Sequence, residues 1–354
     1  MKRNPFEQRV QALADCARQK SLDAVLVFGQ ANISSLTGIS CDNAALLVRL
    51  LARGRMSLKF YTDFRYVPMV HRTAPWIAVG DIRKITFSAR RVGCEFAMPH
   101  SRFVELQAAH PSAEFVDMTG DLLSLRAVKT ADEIRRLRAA EALDCAIWRE
   151  ASASFREGMT ELDMARRIQH LMIEQGEGEA FETIVCIGRN AAECHHVPDG
   201  TVWNGREPIL VDMGVKLDGY CSDLTRNLVP KRPSALYRKV YALVEKANRA
   251  AIEAAKPGMT CGELDAVARK IITAGGFGNC FGHALGHGVG IEIHEAPVAR
   301  KGDSTILRPG MLVTIEPGIY LPGDVGVRIE DLVLVTENGV EILNHYPKTL
   351  QVIE

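Results

Sequence analysis

Acidic side chains interrupt apolar segments in the C-terminal half of this sequence, where ionised groups are rare unless they are paired or bind a metal. In PILVDMGVKLDGYCSDLTRNLV, Asp212 and Asp223 lie on either side of the Asp218-Gly219 pair, which favours a tight hairpin turn. Such a turn places Asp212 diagonal to Asp223 on one face of a two-stranded ribbon. Two like charges in this partly buried setting need a cation or a proton to coexist.

Three histidines and two glutamates follow further along the chain. The glycine-rich stretch FGHALGHGVGIEIHEAP contains His283, His287 and His294, and its missing side chains allow a ligand to approach the backbone. MLVTIEPGIY places Glu316 at the end of an apolar run, and GVRIEDLVLV places Glu330 inside another. A glutamate in such a position is costly unless it is paired or metal-bound.

Four carboxylates and one imidazole make a ligand set suited to two hard or borderline divalent cations such as Mn²⁺, Co²⁺ or Zn²⁺. Two such ions share bridging carboxylates and hold a hydroxide between them, so the predicted reaction class is hydrolysis. The alternative is that a nearby arginine such as Arg328 neutralises each glutamate, and that each aspartate has an ordinary strand or turn role.

These segments resemble the pita-bread metallopeptidases, in the branch of Xaa-Pro aminopeptidases and prolidases (Xaa-Pro dipeptidases) rather than methionine aminopeptidases. VDMG, SDLTR, GHGVG, IEPGIY and GVRIED carry the resemblance in the family's order. LDAVLVFGQANISSLTG and YTDFRY look like the creatinase-type N-terminal domain of that branch, and LRAVKTADEI resembles its domain junction. The resemblance implies an α/β creatinase-like domain at residues 1–124 and an α+β pita-bread catalytic domain at residues 125–354.

The resemblance also implies how the ligands divide between two metal ions. Asp212 chelates one ion, His287 and Glu316 chelate the other, and Asp223 and Glu330 bridge both around the catalytic hydroxide. The expected cofactor is therefore a pair of divalent ions, with Mn²⁺ as the first expectation and Co²⁺ or Zn²⁺ as alternatives.

Three catalytic roles follow from the same resemblance. Glu316 shuttles a proton from the attacking water to the leaving proline nitrogen, which has no N–H before cleavage. His294 binds the scissile carbonyl and steadies the tetrahedral intermediate. In HHVPDG, His195 rather than His196 aligns with the family's other active-site histidine, and His196 is expected to be a loop residue.

Substrate contacts decide between the two activities of the branch. His283 is expected to line the proline pocket, and Arg328 to orient Glu330 without binding metal itself. Several prolidases carry an arginine suited to gripping the free carboxylate of a dipeptide where this chain has Val298, with Arg300 two residues later. A guanidinium clamp is position-sensitive, so the first expectation is an Xaa-Pro aminopeptidase acting on longer peptides. The alternative is a prolidase in which Arg300 restores dipeptide binding.

Rival functions on the same scaffold are a metal-free, creatinase-like hydrolase, a lyase for another substrate, and a non-enzymatic binding module. A metal-free enzyme or a binding module has no need to retain five metal ligands, and all five ligand positions are filled here.

Around the motifs, the hydrophobic pattern predicts the elements that carry them. A helix over Phe6 to Lys20 and strands at 23–28, 43–48 and 58–62 indicate an α/β domain. Thr130 and Glu133 form a capping box that begins a long helix and a second domain. Further helices are predicted over 161–175 and 234–255, between strand pairs that form a curved antiparallel sheet, and a duplication of the two C-terminal halves stays open.

Composition limits the classes of binding partner and the cellular compartment that we expect for this protein. The 43 basic residues balance 43 acidic residues, so no net field attracts nucleic acid or an anionic membrane. The nine cysteines include no CxxC pair and read as reduced thiols. With no leader-like or membrane-spanning segment, a cytoplasmic enzyme is expected, acting on proline-containing peptides, and the look-alikes suggest a homodimer.

Overall fold

A computed structural model describes residues 5–353, which divide into two compact units, one ending at Arg126 and the other beginning at Ala127. Each unit buries its own apolar core. In the described chain, no helix combines the length and the apolar composition needed to cross a bilayer.

The N-terminal unit is the α/β domain that the sequence predicts, and it is built on a six-stranded mixed sheet. The strand order is β4-β3-β2-β1-β5-β6, with β1 antiparallel to β2 and parallel to β5. Its helices are α1 (Pro5–Gln19), α2 (Gln30–Thr37), α3 (Val67–Thr73), α4 (His100–Ala109) and α5 (Thr119–Ala127). Its strands are β1 (Ala24–Val27), β2 (Ala44–Leu50), β3 (Met56–Thr62), β4 (Ala78–Asp81), β5 (Arg91–Cys94) and β6 (Glu114–Asp117).

The C-terminal unit combines four helices with short, mostly antiparallel ladders, the α+β pita-bread arrangement that the sequence predicts. The helices are α6 (Ala131–Ser154), α7 (Glu161–Gln175), α8 (Ala235–Ala254) and α9 (Cys261–Ala274). The first strands are β7 (Ile184–Ile187), β8 (Ile209–Met213), β9 (Lys216–Leu217), β10 (Tyr220–Cys221) and β11 (Leu224–Val229). The later strands are β12 (Gly286–Gly288), β13 (Glu295–Ala299), β14 (Leu312–Ile315), β15 (Gly318–Leu321), β16 (Val325–Arg328), β17 (Asp331–Val335), β18 (Val340–Ile342) and β19 (Gln351–Val352).

The predicted helix starts are confirmed where local capping decides them. The capping box of Thr130 and Glu133 opens α6, and Ser234 caps α8 through the backbone N–H of Tyr237. Helix α9 was not predicted, although Thr260 and Glu263 form a capping box at its start.

The two halves of this unit repeat the same local structure, a question that the sequence alone left open. Gly158 and Gly258 each precede a Met-Thr pair and each have positive φ, 90° and 87°. The N–H of Gly158 donates to Trp203 O at 2.9 Å, and the N–H of Gly258 donates to Leu307 O at 2.9 Å. In each half, this glycine turn is followed by a capped helix, α7 in the first half and α9 in the second.

Candidate metal centre

The hairpin that carries two of the acids forms as predicted. Asp218 and Gly219 both have positive φ, 50° and 77°, as a two-residue hairpin turn requires. In the ladder behind the turn, Asp212 on β8 lies opposite Thr225 on β11. Asp223, two residues before Thr225, is therefore diagonal to Asp212.

His287 lies at the centre of the acidic cluster. Its Nε2 is 3.3 Å from Glu316 Oε1 and 3.5 Å from Asp223 Oδ2. One ligand atom from each of Asp223, His287 and Glu330 lies within 4.8 Å of the others. The structure therefore brings four predicted ligands together from separate segments of the chain: Asp223, His287, Glu316 and Glu330.

Glycines on either side of His287 allow β12 to reach this position. A Cβ on Gly286 would lie 1.8 Å from the carbonyl oxygen of Thr314, and one on Gly288 would lie 2.2 Å from that of Ala296. Because both clashes are with backbone, neither neighbour could give way cheaply.

Asp212, the fifth predicted ligand, is tied to the cluster through Arg328. The guanidinium Nη2 donates to Asp212 Oδ2 at 2.6 Å, while Nε donates to Thr225 Oγ1 at 3.1 Å. Thr225 in turn donates to Glu330 Oε2 at 2.7 Å. Arg328 bonds Asp212 directly and is joined to Glu330 by hydrogen bonds through Thr225, because Asp212 and Thr225 are opposite each other in the ladder. That Arg328 orients Glu330 stays a prediction.

Burial and mutual repulsion perturb the acids of this cluster. Burial, followed by repulsion from Glu330 and Asp212, raises the pKa of Asp223 well above its ordinary value. Burial likewise raises the pKa of Glu330, with Glu316 adding to it. For Glu316, burial raises the pKa to about 8 although Arg328 opposes the shift. Acids arranged in this way accept either protons or cations readily.

The residues fit a divalent metal pair by an independent observation. Asp212 Oδ1 is buried and has no hydrogen-bond partner among residues 5–353, so one carboxylate oxygen is left for a cation. Burial lowers the pKa of His287, which leaves its imidazole neutral and able to coordinate. Its Nδ1 lies 3.1 Å from Gly288 O, so Nδ1 carries the proton and Nε2 faces the acids.

His283 belongs to a hydrogen-bonded chain beside the cluster. Arg328 Nη1 donates to the Tyr320 hydroxyl at 2.9 Å, and that hydroxyl lies 3.0 Å from His283 Nε2. His283 Nδ1 donates to Ala284 O at 2.7 Å, so Nε2 accepts from Tyr320. Burial lowers the pKa of His283 to about 4, with the Arg328 charge adding to the effect, so the ring is neutral near pH 7.

His294 and His195 lie on the exposed side of the cluster. The rings of His294 and His287 are 4.5 Å apart between centroids and nearly perpendicular. Burial lowers the pKa of His294, and the neighbouring imidazoles of His287 and His195 lower it further. His294 therefore lies against His287, and both His294 and His195 remain open to solvent.

Comparison with known proteins decides the family. Residues 135–337 match the description "Metallopeptidase family M24", and residues 9–128 match "Creatinase/Prolidase N-terminal domain". The chain belongs to metallopeptidase family M24. A curated relative, the Xaa-Pro dipeptidase of Lactobacillus helveticus, is 40% identical over 286 residues, which cover 79% of this chain and 77% of that protein.

Solved structures agree with the family assignment. The Xaa-Pro dipeptidase from Bacillus anthracis superposes with a TM-score of 0.92 at 30% identity, covering 98% of this chain and all of that one (100%). The X-Pro aminopeptidase from Thermotoga maritima superposes with a TM-score of 0.86 at 29% identity, covering 96% of this chain and 100% of that one.

In this M24 chain, Arg300 lies apart from the candidate centre. Its Nε pairs with Asp303 Oδ2 at 3.4 Å, and its side chain is 68% exposed. Val298, where the sequence lacks the prolidase arginine, lies opposite His287 in the β12–β13 ladder. Among residues 5–353, Arg300 has no hydrogen bond or ion pair with the predicted metal ligands.

A second group of possible ligands, Glu161, His196 and Asp199, lies outside this centre. The two Glu161 oxygens already accept from Ile187 N at 2.6 Å, Asn190 Nδ2 at 2.9 Å, His196 Nε2 at 2.8 Å and Asp199 N at 3.0 Å. A carboxylate that accepts four hydrogen bonds has little capacity left for a metal. This group instead anchors the loop that carries His195, and His196 is a loop residue as predicted.

Three hydroxyl residues of the M24 site were not predicted from the sequence: Thr225, Thr314 and Tyr320. Thr314 Oγ1 donates to Glu316 Oε1 at 3.0 Å and accepts from the His287 N–H at 3.0 Å. Thr225 and Thr314 each lie two residues from a predicted ligand, Asp223 or Glu316, and side chains two apart in a strand share a face. That alternation is the sequence pattern that could have identified the two threonines. No comparable pattern in the sequence indicates Tyr320.

Proposed function

We propose that this chain is a prolidase that hydrolyses Xaa-Pro dipeptides with a pair of divalent metal ions. The observation that carries the proposal is the convergence of Asp223, His287 and Glu330, with Glu316 and Asp212 beside them. The preference for dipeptides is supported by the relatives named Xaa-Pro dipeptidase, whose matches cover 79% and 98% of this chain.

Xaa-Pro aminopeptidase activity on longer peptides is the second candidate. Two observations favour it: Val298 lies opposite His287 with no charge, and Arg300 is exposed and paired with Asp303. Neither side chain is arranged to grip the carboxylate of a dipeptide. The Thermotoga maritima neighbour named X-Pro aminopeptidase has the same fold.

In this proposal, Asp212, Asp223, His287, Glu316 and Glu330 hold the two metal ions, with Mn²⁺, Co²⁺ or Zn²⁺ as candidates for oxygen-rich ligands. When bound, the metal ions supply a water-derived nucleophile near neutral pH and polarise the scissile carbonyl. Loss of one ligand would remove both effects, which distinguishes this proposal from a metal-free hydrolase or a binding module.

The remaining steps belong to this chain's own side chains. Glu316 accepts the proton of the attacking water on a carboxylate oxygen and passes it to the proline nitrogen, since a tertiary amide nitrogen cannot leave without gaining a proton. His294, exposed above His287, donates a hydrogen bond to the scissile carbonyl oxygen as negative charge develops on it. His195 and the neutral His283 line the substrate side.

The test is the rate of cleavage of Ala-Pro, Ala-Pro-Ala and Ala-Ala by the metal-restored protein. A prolidase cleaves Ala-Pro fastest, whereas an aminopeptidase prefers Ala-Pro-Ala, and Ala-Ala measures the need for proline. Blocking the dipeptide as Ala-Pro amide removes only the free carboxylate and shows whether that group is recognised. Equal cleavage of all four peptides would contradict proline-directed activity.

A further inference from the structure

Two strand interruptions lie beside each other next to the candidate metal centre. The first separates β14, which ends at Ile315, from β15, and Glu316 lies within it. The second separates β16 from β17, and it contains Ile329 and Glu330. Where a ladder is interrupted, buried backbone carbonyls need donors from elsewhere, so the partners of Ile315 O and Ile329 O matter.

One side chain supplies both donors. Asn248 Nδ2, on α8, donates to Ile315 O at 2.7 Å and to Ile329 O at 3.3 Å. The Asn248 side chain is fully buried. Glu316 and Glu330 each follow one of these carbonyls directly, so the same amide is bonded to the peptide unit that precedes each acid.

Lys348 fixes the orientation of that amide. Its ammonium donates to Asn248 Oδ1 at 3.0 Å and to Asp331 Oδ2 at 2.6 Å. An ammonium can only donate, so the carboxamide oxygen must face Lys348 and the NH₂ group must face the two carbonyls. Asp331 is held in turn by Arg226 Nη2 at 2.8 Å, which makes this arrangement rigid.

We propose that Asn248 is a positioning residue that sets the separation of Glu316 and Glu330 by joining the two peptide units before them. The inference rests on the proposed ligand roles of these glutamates. Asn248 touches neither the substrate nor the reacting atoms and acts only through the backbone. Its loss therefore changes the affinity and the coordination geometry of the metal centre, beyond any loss of stability.

The experiment compares cobalt binding by the full-length protein and its Asn248→Asp variant. Aspartate has the same shape but no N–H donors, so both carbonyls lose their partner. Each chelator-treated protein is titrated with Co²⁺, and the visible absorption of the bound ion reports the geometry of its ligands. We expect affinity to fall roughly 10- to 100-fold and the absorption bands to shift, in keeping with the loss of a residue that orients ligands.

A matched control is Asn32→Leu in the N-terminal unit. Asn32 is also a buried amide, and its Oδ1 accepts from Arg126 Nη1 at 2.9 Å within the N-terminal unit. Asn32→Leu is expected to lower stability and leave the cobalt spectrum unchanged.

Lys348→Met is the second variant, in case Asn248→Asp does not fold. It keeps the amide of Asn248 and frees its orientation, so the spectrum should shift in the same direction by a smaller amount. The inference would be overturned if both variants kept the wild-type Co²⁺ affinity and visible spectrum and lost only folding stability. Because cobalt binding is read without a peptide, a failure of the proposed peptidase activity would be seen separately.

Discussion

The guanidinium of Arg328 lies 2.6 Å from the Asp212 carboxylate, and their side chains are only 4% and 14% exposed. The same arginine bonds the Tyr320 hydroxyl and Thr225, so one cation connects a predicted metal ligand with the residues on either side of it. This contact places a cation directly against Asp212 in a setting crowded with other acids.

Replacing Arg328 with methionine leaves that carboxylate buried without its cation. We expect the metal-free protein to lose about 3–5 kcal/mol of unfolding free energy, measured by denaturant titration. Arg138→Met is the matched control, because Arg138 pairs with Glu341 at the same 2.6 Å distance but on the surface. That change should cost about 1 kcal/mol or less. Equal losses in the two variants would contradict the role given to Arg328.

Metal should stabilise the protein more as pH rises. The pKa of Glu316 is raised from 4.5 to about 8, so its contribution to stability is present below its ordinary pKa and is lost as pH rises through about 8. Bound cations replace those protons and remove the penalty. The difference in Tm between metal-restored and chelator-treated protein should therefore grow between about pH 5 and about pH 8.5.

Glu316→Gln is the control for this pH dependence. Glutamine cannot titrate, so the variant's metal-free Tm should fall less over the same pH range. A Tm difference that is constant with pH in the unaltered protein would show that Glu316 does not carry the raised pKa.

Tyr320→Phe removes the hydroxyl that bonds both His283 and Arg328. If the neutral His283 ring lines the substrate side, the loss of its Nε2 hydrogen bond should weaken binding of Ala-Pro, with KM rising roughly tenfold and kcat changing less. Tyr61→Phe is the matched control, since Tyr61 is also buried and its hydroxyl donates to Thr86 O at 3.0 Å in the N-terminal unit. A change confined to kcat would place Tyr320 with the reacting groups instead.

Alanine substitutions at two neighbouring glycines, Gly286 in β12 and Gly282 before it, should have sharply different effects on metal binding and activity. The Cβ of Gly286→Ala would meet backbone at 1.8 Å, so β12 must shift and carry His287 with it. Gly282→Ala meets nothing within 4 Å and should behave like the unaltered protein. We expect metal affinity and peptide cleavage to fall at least roughly tenfold in the first variant only, measured by metal titration and by Ala-Pro hydrolysis. Similar activity in both variants would contradict the account of β12.

Local signals in the sequence were sufficient for much of this site. Positive φ at Asp218 and Gly219 follows from their types, and the resulting hairpin register places Asp212 diagonal to Asp223. The capping box of Thr130 and Glu133 likewise needs only four consecutive residues. Such features depend on neighbours in sequence, so they can be predicted from the sequence alone.

Features that depend on distant residues could not be predicted in this way. Arg328 and Asp212 lie 116 residues apart, and nothing near either one in sequence selects the partner. Helix α9 was overlooked because Gly262 in its first turn lowers the apparent helix propensity. The structure shows why glycine is needed there, since a Cβ would lie 2.8 Å from Asp303 O.

Metal-dependent peptidase activity is tested by following Ala-Pro hydrolysis in chelator-treated protein as Mn²⁺, Co²⁺ or Zn²⁺ is added back, with bound metal counted per chain. We expect cleavage to be absent without metal, to return as about two ions bind, and to be lost in Asp223→Asn. Cleavage that persists in the metal-free protein, or in Asp223→Asn, would contradict this expectation.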